Sequence, residues 1–305
     1  MASSHRSIGL LVTDHIASGV VEGGRVAGQI HRIREEERGD SLRGTPAEEV
    51  VNLLAEEVAA CSGATVLEAI GVAFPGIVRA GVIEESPNLH QLKGLDAGSA
   101  LREALNSRGI RAPLSVSNDA DAIAAGLAAS RGTASHGDLD RVIRVWTLGE
   151  GIGFGHFPPA EGVWEGGHTV VSLDPNETFC ACGGRGHLEG IMRHRAMRLR
   201  FLDREPEEVF AAAKPHPDAS PDPRCVEFVL LWHRALAAAT ATSIHLEGPG
   251  KFYITGPNSR FVNVGFLNRC VQEMVKLSPL QSYVFEVVPP ADELGIVGAA
   301  LNALR

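Results

Sequence analysis

The chain has 305 residues, of which 44% are hydrophobic and 21% charged, with a formal net charge of −9; this is an ordinary balance for a globular protein with room for two domains. The acidic balance, with no long Lys/Arg cluster, argues against nucleic acid as a partner. No apolar run reaches the roughly 18–20 residues that span a bilayer, and the N-terminus lacks a signal-type basic region and cleavage site, so neither a membrane nor export is expected.

Residues 7–32 predict three short strands, with a Gly-rich hairpin turn at Glu22-Gly23-Gly24. Residues 46–61 repeat apolar positions at helical spacing behind Pro46, with acids in the first turn. Residues 68–78 predict a buried strand broken at Pro75-Gly76. A helix is expected at about 96–108, then a strand ending in Asn118-Asp119, then an Ala-rich helix over 119–132. Residues 141–157 predict two strands around a Gly-rich turn, and a helix follows at about 187–201. Residues 214–224 are loop by composition. A long helix near 225–247, a strand and turn at 250–259, and a small-residue helix at 291–304 close the chain. Strands and helices alternate in two sets, which predicts an α/β protein of two similar halves.

The five cysteines are Cys61, Cys180, Cys182, Cys225 and Cys270. An odd, sparse set without a secretory signal fits reduced thiols in a cytoplasm. Cys61, Cys225 and Cys270 sit in helix-like contexts and read as core residues. Cys180 and Cys182 stand apart because their neighbours are Gly, Arg and His. A Cys-x-Cys pair in a Gly-rich loop is either a reduced pair or half of a metal site.

Asp119 follows a strand and opens a helix. A carboxylate there sits at the carboxyl end of a sheet, where α/β proteins bind ligands, and it can serve as general base for a hydroxyl. It can equally be a first-turn helix acid. Glu165 and His168 flank Gly166-Gly167, and Glu189 follows; carboxylates that accept from neighbouring hydroxyls suit a polyol.

Taken together, these stretches resemble the ROK family (repressors, open reading frames and kinases), sugar kinases and sugar-responsive regulators of the actin-like ATPase fold. GVAFPGIVRAGVI is similar to the family's Pro-Gly strand, ESPNLHQLKG to its sugar loop, VSNDADAIAAG to its Asn-Asp helix start, EGGH to its Glu-x-x-His element, and CACGGRGHLE to its zinc motif. The resemblance implies two actin-like (ribonuclease H-like) domains with a cleft, 1–118 plus 292–305 and 119–291. It implies Asp119 as the base that deprotonates a hexose hydroxyl for attack on the γ-phosphate of Mg-ATP. Asn88, Asn118, Glu165, His168 and Glu189 would hold the sugar, and a homodimer is common in the family. Its structural zinc is held by one His and three Cys; here His187 stands at the third cysteine, which makes the set His168, Cys180, Cys182 and His187.

The nucleotide half departs from the family pattern. Where an Asp-x-Gly-Gly-Thr turn is usual, this chain has Leu10-Leu11-Val12-Thr13-Asp14. Without glycine the backbone cannot approach phosphate closely, and Thr13 and Asp14 are the polar candidates left. The second phosphate turn keeps Gly149, Gly151 and Gly153 but places Glu150 where Thr is usual, and the third keeps Gly256 but has Pro257 after it. A carboxylate beside a triphosphate is repelled by about 1–4 kcal/mol per charge pair, unless it ligates magnesium. The readings left open are a sugar kinase with an altered nucleotide site, a sugar-binding regulator of kinase ancestry that has lost phosphotransfer, and a different phosphotransfer or hydrolysis. A DNA-binding repressor is not expected, since the chain opens on its first strand.

Overall fold

The computed structural model describes residues 6–34, 42–63, 66–131, 142–159, 165–216, 220–290 and 292–305. The chain forms two compact units. One is Met1–His136 with Gly155–Trp164 and Ala291–Arg305; the other is Gly137–Phe154 with Glu165–Pro290. Among the described residues no helix is long and apolar enough to cross a membrane.

The first unit opens with β1 (Arg6–Val12) and β2 (Ile16–Glu22), an antiparallel hairpin that pairs Val12 with Ile16. Gly23 and Gly24 turn the chain at φ 57° and 75°, angles that cost glycine little, into β3 (Arg25–Val26). The expected third strand is thus followed by a fourth, β4 (His31–Ile33), which also pairs with β2. Helix α1 (Ala47–Ser62) starts behind Pro46 and buries Val50, Val51, Leu54, Val58 and Cys61, one stripe at helical spacing. β5 (Ala69–Phe74) is buried throughout and runs parallel to β1. The break at Pro75-Gly76 leads into a hairpin of β6 (Ile77–Arg79) and β7 (Val82–Glu85). Helix α2 (Ala97–Ser107) is capped by Asp96, whose carboxylate accepts the Ser99 N–H at 2.9 Å. β8 (Leu114–Asn118) lies parallel to β5 and passes directly into α3 (Asp119–Arg131). The sheet order is β3-β2-β1-β5-β8, with β4 beside β2.

The second unit contains β9 (Ile143–Leu148) and β10 (Ile152–Phe157), of which Gly155 onward belongs to the first unit. The helix expected at 187–201 is two, α4 (Leu188–Met192) and α5 (His194–Arg200), because Arg193 is extended at ψ 142°. The break releases the His194 N–H from helical bonding, and it donates to the Gly149 carbonyl at 3.1 Å. Helix α6 (Pro206–Ala212), which the sequence reading did not assign, carries a capping box between Glu205 and Glu208. Helix α7 (Pro223–Glu247) begins with Pro at its first position and an Asp222 cap. β11 (Lys251–Thr255) follows, then a 3-10 turn at Pro257–Phe261. Helix α8 (Val264–Met274) and β12 (Val284–Val287) were also unassigned. The sheet order is β10-β9-β11-β12, with β9, β11 and β12 parallel. Trp146, Trp232, Phe252 and Ile254 form the centre of this unit's core.

Helix α9 (Asp292–Asn302) returns the chain to the first unit. It lies on the sheet without intervening side chains: a methyl at Gly9 would come 1.9 Å from the Ile296 carbonyl oxygen, and one at Gly71 1.9 Å from that of Ala299. Gly298 meets α3 the same way, where a methyl would come 1.6 Å from the Ala122 oxygen. That backbone contact puts α3 in the first unit, whereas the boundary read from the sequence fell before it, at residue 118.

Candidate functional site

Within the first unit, the expected sugar and base positions lie at the carboxyl ends of parallel strands β5 and β8. Gly76 turns at φ 102°, and a Cβ there would sit 2.1 Å from the Glu85 oxygen, so only glycine admits the β6–β7 hairpin so close. The Gly76 carbonyl accepts from the Asn118 amide at 2.8 Å. The Asn118 Oδ1 accepts the N–H groups of Ala120 (2.8 Å) and Asp121 (3.1 Å), which caps α3. Both ends of the Asn118 amide therefore have local partners. Asp119 follows at the first position of α3, half-buried, with Oδ1 2.9 Å from the Ala120 N–H. Asn88 is half-buried in the bend after β7. Asp121, which the sequence reading passed over, is pushed up by burial and accepts the His156 N–H at 2.9 Å.

Within the second unit, the residues from Glu165 to Glu189 form one polar array. Gly166 and Gly167 lie directly on β10: a Cβ at Gly166 would meet the Phe154 side chain at 2.4 Å, and one at Gly167 the Ile152 oxygen at 2.2 Å. This contact fixes Glu165 and His168 on either side. His168 Nε2 is 2.9 Å from Glu189 Oε2, and its Nδ1 is 3.8 Å from Glu165 Oε2. Glu189 is buried in the first turn of α4. The loop between is closed by short ladders, Val171 N–H to the Gly186 oxygen (2.8 Å) and Leu188 N–H to the Thr169 oxygen (3.0 Å). Buried Glu177 pairs with Arg200 below it.

At the loop's centre the ligand atoms of His168, Cys180, Cys182 and His187 all lie within 4.8 Å of one another. The two Sγ atoms are 3.3 Å apart, and Cys182 Sγ is 3.3 Å from His187 Nδ1. All five cysteines are free. Gly184 leaves room for the imidazole, since a Cβ there would lie 2.1 Å from the His187 ring. A tetrahedral zinc with sulfur at about 2.3 Å and nitrogen at about 2.0–2.1 Å spaces its donors by about 3.3–3.8 Å, so this donor set fits the ion with small adjustments. Two thiolates and two neutral imidazoles also neutralise a dication. The Cys180 thiol is held low: burial opposes this, but the His168 contact and the Cys182 N–H outweigh it. His168 is raised to about 10 by its contacts with Cys180 and Glu189.

The glycines of the β9–β10 turn have packing roles. The Gly149 N–H donates to the Gly151 carbonyl at 3.0 Å, and the Gly153 N–H donates to Thr147 Oγ1 at 3.1 Å. A Cβ at Gly149 would be 3.1 Å from the Pro257 ring. Gly256 turns at φ 94°, and a Cβ there would lie 2.5 Å from the Leu148 oxygen. Glu150 is half-buried.

The β1–β2 turn differs from a phosphate cradle. Leu10 and Val12 are fully buried in the apolar core. Thr13 Oγ1 donates to Asp14 Oδ1 (3.0 Å), and His15 Nδ1 lies 2.9 Å from the same oxygen. His15 Nε2 is 3.3 Å from Asp292 Oδ2, which also takes the Arg32 Nε at 2.6 Å. The Asp14 hydrogen bond raises His15 to about 9, and His15 in turn holds Asp14 at about 2. Burial works against ionised Asp292, but His15 and Arg32 keep it low. Thr13 and Asp14 were expected to face nucleotide; they belong to this network, whose members His15, Arg32 and Asp292 have no motif in the sequence. Trp164, which adjoins Glu165 in the sequence, lies outside the described residues.

A family model described as the ROK family matches residues 24–305. The chain is 26% identical to a glucokinase of Thermotoga maritima, over 92% of this chain and 91% of that one. It is similar in structure to a ROK family glucokinase from Streptomyces griseus in complex with glucose and AMPPNP (TM-score 0.67, 21% identity, 97% of this chain and 98% of that one). It is also similar to a ROK family transcriptional regulator, a homolog of the E. coli MLC protein (TM-score 0.70, 19% identity, 98% and 78%). These likenesses show an α/β protein of the actin-like ATPase fold.

Proposed function

The chain belongs to the ROK family, and on that premise we propose that it is a sugar kinase with Asp119 as general base. The observation that carries the reading is the fixed Glu165–His168–Glu189 array, in which two carboxylates flank one imidazole at 3.8 and 2.9 Å. Such an array can accept from adjacent hydroxyls and donate to a ring oxygen, which is what a hexose requires. Asn88 and Asn118 are the sugar contacts we assign to the first unit, with Asn118 also setting the direction of Asp119 through its cap on α3. Asp119 takes the proton of a hexose hydroxyl as that oxygen bonds to the γ-phosphorus of ATP. The bond from phosphorus to the bridging oxygen breaks, and ADP leaves. Positioning and charge neutralisation supply most of the barrier reduction in such transfers. A zinc ion held by His168, Cys180, Cys182 and His187 would be structural, locking the loop and the His168 ring that faces the sugar.

The residues of the β1–β2 turn do not fit a magnesium-triphosphate cradle. Leu10 and Val12 are core, and the turn's polar groups neutralise one another. Gly149, Gly151 and Gly153 are then the phosphate contacts we assign, with Gly256 supporting them. This same observation favours a second reading, a sugar-binding regulator of kinase ancestry, and the MLC-like structural relative is in keeping with it.

One assay separates the two. Incubated with ATP, Mg²⁺ and a panel of hexoses, the kinase releases ADP with at least one sugar. Calorimetric sugar binding with no turnover on any hexose would establish the regulator instead. Asp119→Asn should lower turnover by about 10²–10⁴-fold while sugar affinity stays within about a few-fold.

A further inference from the structure

Away from these positions, the first unit gathers three more side chains of metal-ligating type. One ligand atom each from His31, Glu57 and Cys61 lies within 4.8 Å of the others. Glu57 and Cys61 are one turn apart on α1 and share a face. His31 comes from β4, where it pairs directly with Ser18 of β2, so the two point to the same side of the sheet. Ser18 forms the floor: its hydroxyl donates to Glu57 Oε2 at 2.6 Å and lies 3.7 Å from Cys61 Sγ. His31 Nδ1 is 3.9 Å from the same Glu57 oxygen. Burial is graded, from Cys61 at 9% exposed, through the Glu57 side chain at 14%, to the His31 side chain at 50%. The group is a small well with sulfur at the bottom and imidazole at the mouth.

We propose that His31, Glu57 and Cys61 form a second metal site, an open three-ligand site for zinc with its fourth position taken by water. The donor chemistry selects the ion. Calcium and magnesium take oxygen ligands, whereas one thiolate, one imidazole and one carboxylate suit zinc, and three protein ligands with a water is its open-site pattern. Binding forms a zinc–sulfur bond and releases the Cys61 thiol proton to water. The site also has a mechanical consequence. Successive side chains of a strand point to opposite faces, so the metal would hold β4 through His31 while Arg32 holds it through Asp292. β4 is thereby braced beside the network of the β1–β2 turn.

The test uses the full chain, stripped with chelator, reloaded with Zn²⁺ and freed of excess metal. The wild type should hold about one equivalent more zinc than Cys61→Ser and than His31→Ala, whatever the Cys180–Cys182 loop holds. Cobalt gives an independent reading. In Cys180→Ser/Cys182→Ser, a thiolate-to-cobalt charge-transfer band should persist and vanish when Cys61→Ser is added. If that double variant does not fold, the same band is read as the difference between wild type and Cys61→Ser. Equal zinc content in wild type, Cys61→Ser and His31→Ala, or a cobalt spectrum unchanged by Cys61→Ser, would overturn the site. Neither outcome bears on sugar binding or turnover.

Discussion

The β1–β2 turn and the loop from His168 to Glu189 use the same side-chain types and settle them in opposite ways. In the turn, acids and bases alternate: Asp14, His15, Asp292 and Arg32 contact one another in sequence at 2.9, 3.3 and 2.6 Å. Two negative and two positive groups cancel without any added ion. In the loop, the ligand atoms of two cysteines and two histidines gather within 4.8 Å of one another. Four sulfur and nitrogen donors at that spacing suit a metal ion, and His168, raised to about 10, is the loop's own cation until one binds. The difference teaches where this chain has kept ligand chemistry. A converging set waits for a ligand, whereas an alternating set has already supplied its own.

The largest effect is therefore expected in the loop. On the proposed reading, Cys180→Ser together with Cys182→Ser should abolish zinc binding by the loop and lower sugar affinity by about 10–100-fold, the range that loss of metal support commonly costs. Hydrogen exchange should rise across 169–187, because the ladder bonds of Val171 and Leu188 rely on the closed loop. Unchanged sugar affinity in calorimetry would make the loop a bystander and erase the contrast with the turn. Glu189→Gln should act in the same direction but less, by about 0.5–1.5 kcal/mol in sugar binding, since the amide keeps an acceptor for His168 and removes the charge.

Much of this contrast was legible before the structure, and the reasons for the rest are physical. α1 and the passage from β8 to α3 follow from apolar spacing and local caps. The loop is visible because three of its four candidate ligands, Cys180, Cys182 and His187, crowd into a short stretch. The turn network is not, because His15 and Asp292 are 277 positions apart and meet only once α9 packs on the sheet. His31 shows no ligand spacing for the same reason, its partners being on α1. The break at Arg193 leaves the His194 N–H bonded to the distant Gly149 carbonyl, a contact that no local pattern announces. α8 is a different case: Asn263 caps it through the Phe266 N–H at 2.9 Å, and Leu267, Cys270 and Val271 are its buried face, so local signals for it were present and not assigned.

The turn should respond to pH through His15. His15 is raised from 6.5 to about 9, so its stabilising contribution is complete below pH 6.5 and is lost as pH rises through about 9. The wild type should lose about 1–3 kcal/mol of unfolding free energy across that window. His15→Ala should be less stable at neutral pH by a similar amount and flat over the same window. Parallel alkaline limbs in denaturant titrations of the two proteins would show that the network stores no stability.

The smallest effect is expected from Asp14→Asn, and it bears most directly on nucleotide. Asp14 is held at about 2 against an ordinary 3.8, so it contributes stability above pH 3.8 that is lost as pH falls through about 2. Its side chain is 46% exposed, and solvent screening limits that contribution to under about 1 kcal/mol. The amide keeps the oxygen that receives Thr13 and removes only the charge. His15 should then fall toward its ordinary value, and the alkaline limb should move to lower pH. If the turn meets phosphate, removing a carboxylate should tighten binding of an ATP analogue, by roughly 1–4 kcal/mol per charge pair at close range. If the turn is the closed network its geometry describes, analogue affinity measured by calorimetry should not change, and phosphate recognition must then come from the glycines of the β9–β10 turn.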